Sequence, residues 1–325
     1  MKQLRVVGLG DYANYYSYFT YGVLEGAIRC GAWFRPVHLF QPLDDVVRQI
    51  DFFKPHIIVA HCIFNRRPHK REDVFQILRD FRKRYDTKVY YHMGDARSEP
   101  RYPHDISSFV DGALVNNLEL KKWSDIWGVC CIHWPYMALY QSQIADVDKR
   151  FEHKIVFTGS LDAGEGHHAA RTEFFEKLRS KIDMKTYPDK VWGNTRFLTA
   201  EVAASSGVVI GTQMGGEVYG YVDVRPWQYI GAGALYLHEY HENMELYFKH
   251  GEHYVSYNNL EDLIDKLDWY LRNRGIANAI RKCGFRFCQK YHSTKERFER
   301  VIDLYRGQPL KELTLEKVRI QYENF

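Results

Sequence analysis

The stretch Asp223-Val-Arg225-Pro226-Trp227-Gln228-Tyr-Ile-Gly231-Ala-Gly233-Ala, followed by Leu235-Tyr-Leu-His238-Glu239-Tyr240, decides how this chain is read. Arg225 precedes a proline, which biases it towards extended backbone. Pro226 suits the first position of a helix, where its missing N–H costs nothing. A helix N-terminus gathers unpaired N–H groups and the positive end of the dipole, and with a cation beside it the combination suits a diphosphate. Gly231-Ala-Gly233 then ends a short helix, and Ala234-Leu-Tyr-Leu237 reads as the next buried strand. The competing reading of Arg225 is a surface arginine at a helix start.

Outward from this motif, short apolar runs alternate with longer helical patterns, as parallel βαβ units require. In the first half Leu4 to Gly8, Val37 to Phe40, His56 to Ala60, Lys88 to Tyr91 and Gly112 to Val115 are strand candidates. Helices are expected from Tyr18 to Gly31, with Val23, Leu24, Ala27 and Ile28 on one face, and from Asp73 to Tyr85. They make a Rossmann-like sheet of about five strands. Residues Gln141 to His153 are polar and read as a linker. A strand Lys154 to Thr158 then opens into the glycine-rich loop Gly159-Ser160-Leu-Asp-Ala-Gly164-Glu-Gly166, with a helix from Ala169 to Ile182 and a strand Val208 to Gly211. Glycines let backbone approach a phosphate closely, and Arg171 falls one to two turns into the helix if that starts near His167. The plain alternative is a flexible βα loop with a surface arginine.

The order arginine, helix, Gly-Ala-Gly, strand resembles the donor-binding half of GT-B glycosyltransferases, and within that fold the CgeB-like, spore-maturation group. The resemblance continues through Tyr247-Phe-Lys-His-Gly251-Glu-His-Tyr-Val-Ser-Tyr257, Leu260 to Leu271, and Tyr291-His292-Ser-Thr294-Lys-Glu-Arg297-Phe, and covers roughly 155–305. The first half matches more loosely. It implies an α/β GT-B architecture, two Rossmann-like domains facing a central cleft. Residues 1–145 form an acceptor domain, 146–307 a nucleotide-sugar donor domain, and the tail 308–325 packs back on the first. The implied activity is transfer of a sugar from a nucleotide-diphosphate sugar, UDP-sugar by default, to a hydroxyl acceptor, with domain closure excluding water.

Under that resemblance Gly159, Ser160, Arg171, Arg225, Gln228 and Gly231 bind the donor, Arg225 stabilising the departing diphosphate. Gln228 stands where the family usually has glutamate, leaving a neutral amide to meet the ribose hydroxyls. Gly10 approaches the donor from the other domain, in the partial fingerprint Gly8-Leu-Gly10-Asp11-Tyr12-Ala13, whose dinucleotide reading is weak because the third glycine is Ala13. In Tyr91-His92-Met93-Gly94-Asp95-Ala-Arg97, Asp95 is the candidate general base, the family carrying an aspartate there. Asp95 reads equally as a turn cap or a partner of Arg97, and His92 as a packed core histidine. His133-Trp134-Pro135-Tyr136 resembles the segment that closes the family's first domain.

The basic loop Asn65-Arg66-Arg67-Pro-His-Lys70-Arg71 follows a strand, so it opens at the cleft side. With Arg79, Arg82, Lys83, Arg84 and Lys88 it forms a basic concentration, interrupted by Glu72, Asp73, Asp80 and Asp86, whose usual meaning is a solvated face. A polyanionic acceptor is the sharper one: Arg66, Arg67, Lys70 and Arg71 would hold DNA phosphates. A hydroxymethylated base would then be the target, reached by flipping.

No metal is expected. The one Asp-x-Asp, Asp146-Val147-Asp148, falls in the linker, and adjacent His167 and His168 do not share a ligand face. Helix dipole and arginine charge serve the leaving diphosphate instead. No cofactor is implied beyond the sugar-nucleotide co-substrate.

At 325 residues the chain has room for two cores. The formal charge of +4 does not by itself name an anionic partner. The six cysteines lack a CxxC pair, which favours free thiols and a reducing, cytoplasmic setting. No long apolar run suggests a membrane span, and the N-terminus runs straight into a strand pattern instead of a signal peptide. Two rival functions stay open: a sugar-nucleotide epimerase on the same fold, and a non-catalytic sugar- or nucleic-acid-binding coat or assembly protein.

Overall fold

The computed structural model describes residues 3–12, 18–61, 63–64, 69–94, 102–140, 146–159, 161, 167–187, 199–212 and 218–310. Asp95, Arg66, Arg67, Ser160 and the tail from 311 lie outside the described residues. The described chain forms two compact units. The first draws on 3–136, 218–221 and 294–310, the second on 137–212 and 222–293.

In chain order the first unit contains β1 (Arg5–Gly10), α1 (Tyr18–Arg29), β2 (Trp33–His38), α2 (Leu43–Phe53), β3 (Ile57–His61), α3 (Arg71–Tyr85), β4 (Lys88–His92), β5 (Gly112–Val115), α4 (Leu120–Trp127) and β6 (Cys130–His133). The second contains β7 (Ile155–Thr158), α5 (His167–Arg179), β8 (Lys185–Tyr187), α6 (Thr199–Ser205), β9 (Val208–Gly211), α7 (Val224–Gly231), β10 (Tyr236–Glu239), α8 (Glu242–Glu245), β11 (Val255–Tyr257), α9 (Leu260–Arg272) and α10 (Arg274–Tyr291). The last helix, α11 (Thr294–Arg306), returns to the first unit.

Both sheets are wholly parallel, ordered β2-β1-β3-β4-β5-β6 and β11-β10-β9-β7-β8. Parallel strands are covered on both faces, so they read as unbroken apolar runs. Strands β7 (IVFT) and β9 (VVIG) are buried at every position. The first sheet has six strands, one more than the sequence pattern shows, because Cys130–His133 adds an outer strand. Strand β2 starts four residues before the expected Val37 and runs through Pro36. It lies at the sheet edge, where a missing N–H costs no ladder bond.

Helix α1 buries Val23 and Ala27 as expected but leaves Ile28 out, and its inward face runs through two glycines. Gly22, Val23, Gly26 and Ala27 are buried, whereas Ile28 is 55% exposed. The reason is close helix packing: a Cβ on Gly26 would lie 2.5 Å from the Thr294 carbonyl oxygen and 2.7 Å from Phe298 Cβ of α11. That helix also carries Arg297, fully buried, whose Nε donates to the Pro135 carbonyl at 3.2 Å and whose Nη2 donates to that of Tyr136 at 3.2 Å. His133 beside it is held well below its ordinary pKa by burial and then by Arg300 and Arg297. The His133-Trp134-Pro135-Tyr136 segment is therefore anchored inside the first unit.

Cys30, Cys130, Cys131, Cys283 and Cys288 form no disulfide among the described residues. No described helix is long and apolar enough to cross a membrane.

Gly26→Val should destabilise the protein by about 1–3 kcal/mol through overpacking at the α1–α11 contact. Gly275→Ala, whose new methyl meets nothing within 4 Å, should leave the melting temperature unchanged or slightly raised. Thermal unfolding of both variants checks the pair; an unperturbed Gly26→Val would remove the packing argument.

Candidate functional site

In the second sheet β7 is flanked by β8 on one side and β9 on the other, so the order in which successive strands are laid down reverses between β7 and β9. The carboxyl ends of strands at such a reversal leave a crevice that neighbouring loops do not fill. Thr158 and Gly159 close β7, Gly211 and Thr212 close β9, and His238 lies beside Gly211 in the register of β10. Gly159 has φ +154°, a conformation that suits glycine, and its N–H donates to the Tyr187 carbonyl at 2.8 Å.

Helix α7 begins at this edge, two residues earlier than Pro226 suggests. Asp223 is its N-cap, accepting the Arg225 N–H at 2.9 Å. Asp is a strong N-cap, and the first N–H groups of a helix have no internal acceptor. Pro226 thus fits the third helical position, and the bias of a pre-proline residue towards extended backbone is overridden. Arg225 is helical, and it folds back onto its own cap. Its Nε and Nη2 donate to Asp223 Oδ2 at 2.9 and 2.6 Å. Burial works against the guanidinium charge, but Asp223, Tyr236 and Tyr229 together outweigh it, and the Arg225 pKa is raised. The helix ends in a Schellman turn: Gly233, at φ +74°, donates to the Ile230 carbonyl and Ala234 to that of Tyr229.

Arg171, the fifth residue of α5, is buried beside this pair. Its pKa is lowered by burial first and by Arg225 second, with Asp223 opposing. The two guanidinium groups thus lie within electrostatic reach of each other and of one carboxylate, and burial penalises the charge they carry.

Four buried polar atoms here have no hydrogen-bond partner among the described residues: Arg225 Nη1, Thr212 Oγ1, the Tyr236 hydroxyl and His238 Nε2. Tyr236 and His238 both feel the charges of Asp223 and Arg225, which places them in one cluster. Gly211 makes room for Tyr236, since a Cβ there would fall 1.9 Å from its hydroxyl oxygen. The His238 ring is oriented by its neighbour: Nδ1–H donates to the Glu239 carbonyl at 2.6 Å, so Nε2 is an acceptor in the neutral ring. The cluster accordingly offers a cationic donor, an acceptor and two hydroxyls.

Of the residues expected to bind a donor, the structure brings together Gly159, Arg171 and Arg225. Gln228 is buried one turn along α7 from Arg225. Gly231 lies at the far end of that helix, and a Cβ there would come 2.6 Å from Ala138 Cβ, so packing accounts for its lack of a side chain. Sequence reasoning did not single out Asp223, Thr212, Tyr236 or His238. Asp223 carried a usable signal as a helix-capping residue two positions before the arginine.

In the first unit the reversal falls between β1 and β3. Gly10 ends β1, where an added Cβ would lie 3.4 Å from His61 Cβ, in ordinary contact. Asp11 pairs with His38 at 3.4 Å, and His61 Nδ1 lies 3.1 Å from the His92 carbonyl oxygen. His92 is a core histidine, 1% exposed, kept neutral by burial and by His61. The described part of the basic stretch is largely engaged in the fold. Arg71 donates to the Phe64 carbonyl at 2.6 Å and lies over the Tyr102 ring, Arg82 pairs with Asp111, and Arg84 with Asp51. Lys70 is exposed at the start of α3. Asp148 of the Asp-x-Asp caps a 3-10 turn and pairs with Arg150. Among the described residues no group of three His, Cys, Asp or Glu side chains could hold a metal.

Comparison with known proteins agrees with this geometry. Residues 171–303 match a family model described as glycosyl transferase-like. HepE of Anabaena, solved in complex with UDP-glucose, superposes with a TM-score of 0.60 at 10% identity over 94% of this chain and 100% of that one. A glycosyltransferase from Rickettsia africae gives 0.60 at 10% identity over 94% and 99%. A DNA-modifying β-glucosyltransferase, studied with and without uridine diphosphoglucose, gives 0.58 at 10% identity over 93% and 99%. No curated protein matches the sequence. The fold is that of the GT-B glycosyltransferases.

Tyr236→Phe removes a buried hydroxyl with no partner, and leaving such a group unpaired costs about 1–3 kcal/mol. The ligand-free variant should therefore melt higher than the parent. An equal or lower melting temperature would mean that the hydroxyl is already satisfied.

A pH dependence follows from His238, lowered by burial to about 4 from 6.5. The folded ring stays neutral while the unfolded chain takes up a proton below pH 6.5. The contribution is fully present above that pH and is lost as pH falls towards 4, roughly 2 kcal/mol between pH 7 and pH 5. His253, also lowered by burial to about 4, acts in the same direction. His238→Asn should flatten the stability–pH slope between pH 5 and 7, as read by urea unfolding; a slope identical to the parent's rejects the assignment.

Proposed function

We propose that this chain is a glycosyltransferase of the CgeB-like kind that moves a sugar from a nucleoside-diphosphate donor, a UDP-sugar first, to a hydroxyl acceptor without a metal ion. The observation that carries the reading is the set of four unpartnered buried polar atoms at the β7–β9 reversal, beside a doubly cationic pair. Anionic phosphate oxygens would accept from Arg225 Nη1 and from the Thr212 and Tyr236 hydroxyls. His238 Nε2 would accept from a hydroxyl or N–H of the same ligand. A ligand with both kinds of group is a diphosphate joined to a nucleoside or a sugar.

In the proposed reaction the acceptor oxygen forms a bond to the anomeric carbon, and the bond from that carbon to the β-phosphate oxygen breaks. The electron pair leaves with the diphosphate, where Arg225 and Arg171 stabilise it. Asp95 takes the acceptor proton. Gly159 and Ser160 line the phosphate loop, Gln228 meets the ribose hydroxyls, and Gly10 contributes from the first unit. The acceptor is assigned only as a hydroxyl; a hydroxymethylated DNA base is the version that Arg66, Arg67, Lys70 and Arg71 would serve.

Thermal stabilisation by UDP, GDP, ADP and TDP tests the donor assignment, because a ligand of the native state raises its melting temperature. UDP should give the largest shift. Arg225→Ala should weaken its binding at least tenfold, the usual scale for truncating one partner of a buried charge contact. Stabilisation by none of the four, or equal stabilisation of the variant, refutes the reading.

A further inference from the structure

The second sheet has an amino edge as well as a carboxyl edge, and a different cavity opens there. It has a volume of about 510 Å³ and lies under the start of β7 and β9, walled by the end of α9 and the first turns of α10. Pockets of roughly 300–1,000 Å³ take small organic ligands. The apolar wall includes Val208, Leu271 and Ala277, with Tyr270 beside them. Gly207 allows the close approach of the β9 entry to β7, since a Cβ there would fall 2.6 Å from the Lys154 carbonyl oxygen.

The charged lining is unbalanced. Lys154, Arg274 and Arg281 face it with His153, against the single carboxylate of Glu152. Arg281 is half-buried, and its pKa is lowered by burial. Its partners are carbonyls, not a carboxylate: Nε donates to Gly233 at 2.7 Å and Nη2 to Ala204 at 3.1 Å. Two carbonyls orient the guanidinium without neutralising it, which leaves Nη1 and the second Nη2 hydrogen for another acceptor. Helix α10 starts at Arg274 with no side-chain cap on its first N–H groups, because the Asn273 amide instead donates back to the Trp269 carbonyl at 2.8 Å. A preoriented, uncompensated guanidinium, two further cations and an uncapped helix start thus border one cavity too large for a lone phosphate.

We propose that this cavity binds a small phosphate-bearing organic anion, at a second site on the sheet edge opposite the donor crevice. Arg281 and Arg274 would hold the phosphate oxygens, Lys154 would add charge, and Tyr270 and Leu271 would cover the organic part.

The test uses inorganic pyrophosphate as probe and the full chain carrying Arg225→Ala, so that the carboxyl-edge cations do not dominate the signal. Calorimetric titration should show saturable pyrophosphate binding to that variant. Adding Lys154→Ala and Arg274→Ala, both exposed positions, should weaken it at least tenfold. Glu152→Gln in the same background should tighten it severalfold, a gain that misfolding cannot produce. No saturable binding to the Arg225→Ala protein overturns the proposal. So does binding unchanged by both the double substitution and Glu152→Gln.

Discussion

The contact between Asp223 and Arg225 is the constraint on which the site depends. One carboxylate caps the helix through a backbone N–H and grips the guanidinium two residues on through two further bonds. A buried arginine without such a partner would carry a large desolvation penalty. With it, the charge stays in place, and its remaining nitrogen is directed by a rigid helix start instead of a flexible side chain. Because cap and cation are neighbours in sequence, their geometry is set as soon as the first turn forms.

Much of the surrounding architecture holds that turn still. Trp227 is fully buried against Tyr247, Phe248 and His292, so the helix cannot rotate about its axis without opening the core. At its far end Gly231 seats against Ala138, and the Gly233 turn is tied to α10 by Arg281. The strands beneath contribute short polar ends in place of long side chains. Glycine at 211 admits the Tyr236 hydroxyl, and glycine at 159 brings backbone close to Arg225. The site is therefore assembled from backbone closeness and buried hydroxyls, with arginine supplying the charge.

The alternation of apolar runs and helical stretches made the two parallel sheets legible, because parallel strands buried on both faces leave that imprint. Boundaries slipped where local rules met tertiary ones. The pre-proline bias placed the helix start two residues late, and capping by Asp223 prevailed. On α1 Val23 and Ala27 are buried as hydrophobicity suggests, but Ile28 is not, because small size at Gly26 sets the seam with α11. The short strand Lys185–Tyr187 left no readable run, since an outer strand of three residues carries too few side chains for a period to show.

Local order along the chain by itself determined the Rossmann-like class, the glycine-rich composition of the stretch after β7, and the arginine at the head of a short helix. Each of these is written within a few adjacent residues. Tertiary structure alone decided that Arg171 and Arg225 share one charge environment, that Tyr236 and His238 turn unpartnered atoms towards it, and that Arg71, Arg82 and Arg84 are engaged in holding the fold. Those facts depend on which strand lies beside which. Strand order is set by packing between segments that are distant in sequence, and a linear pattern carries no record of it.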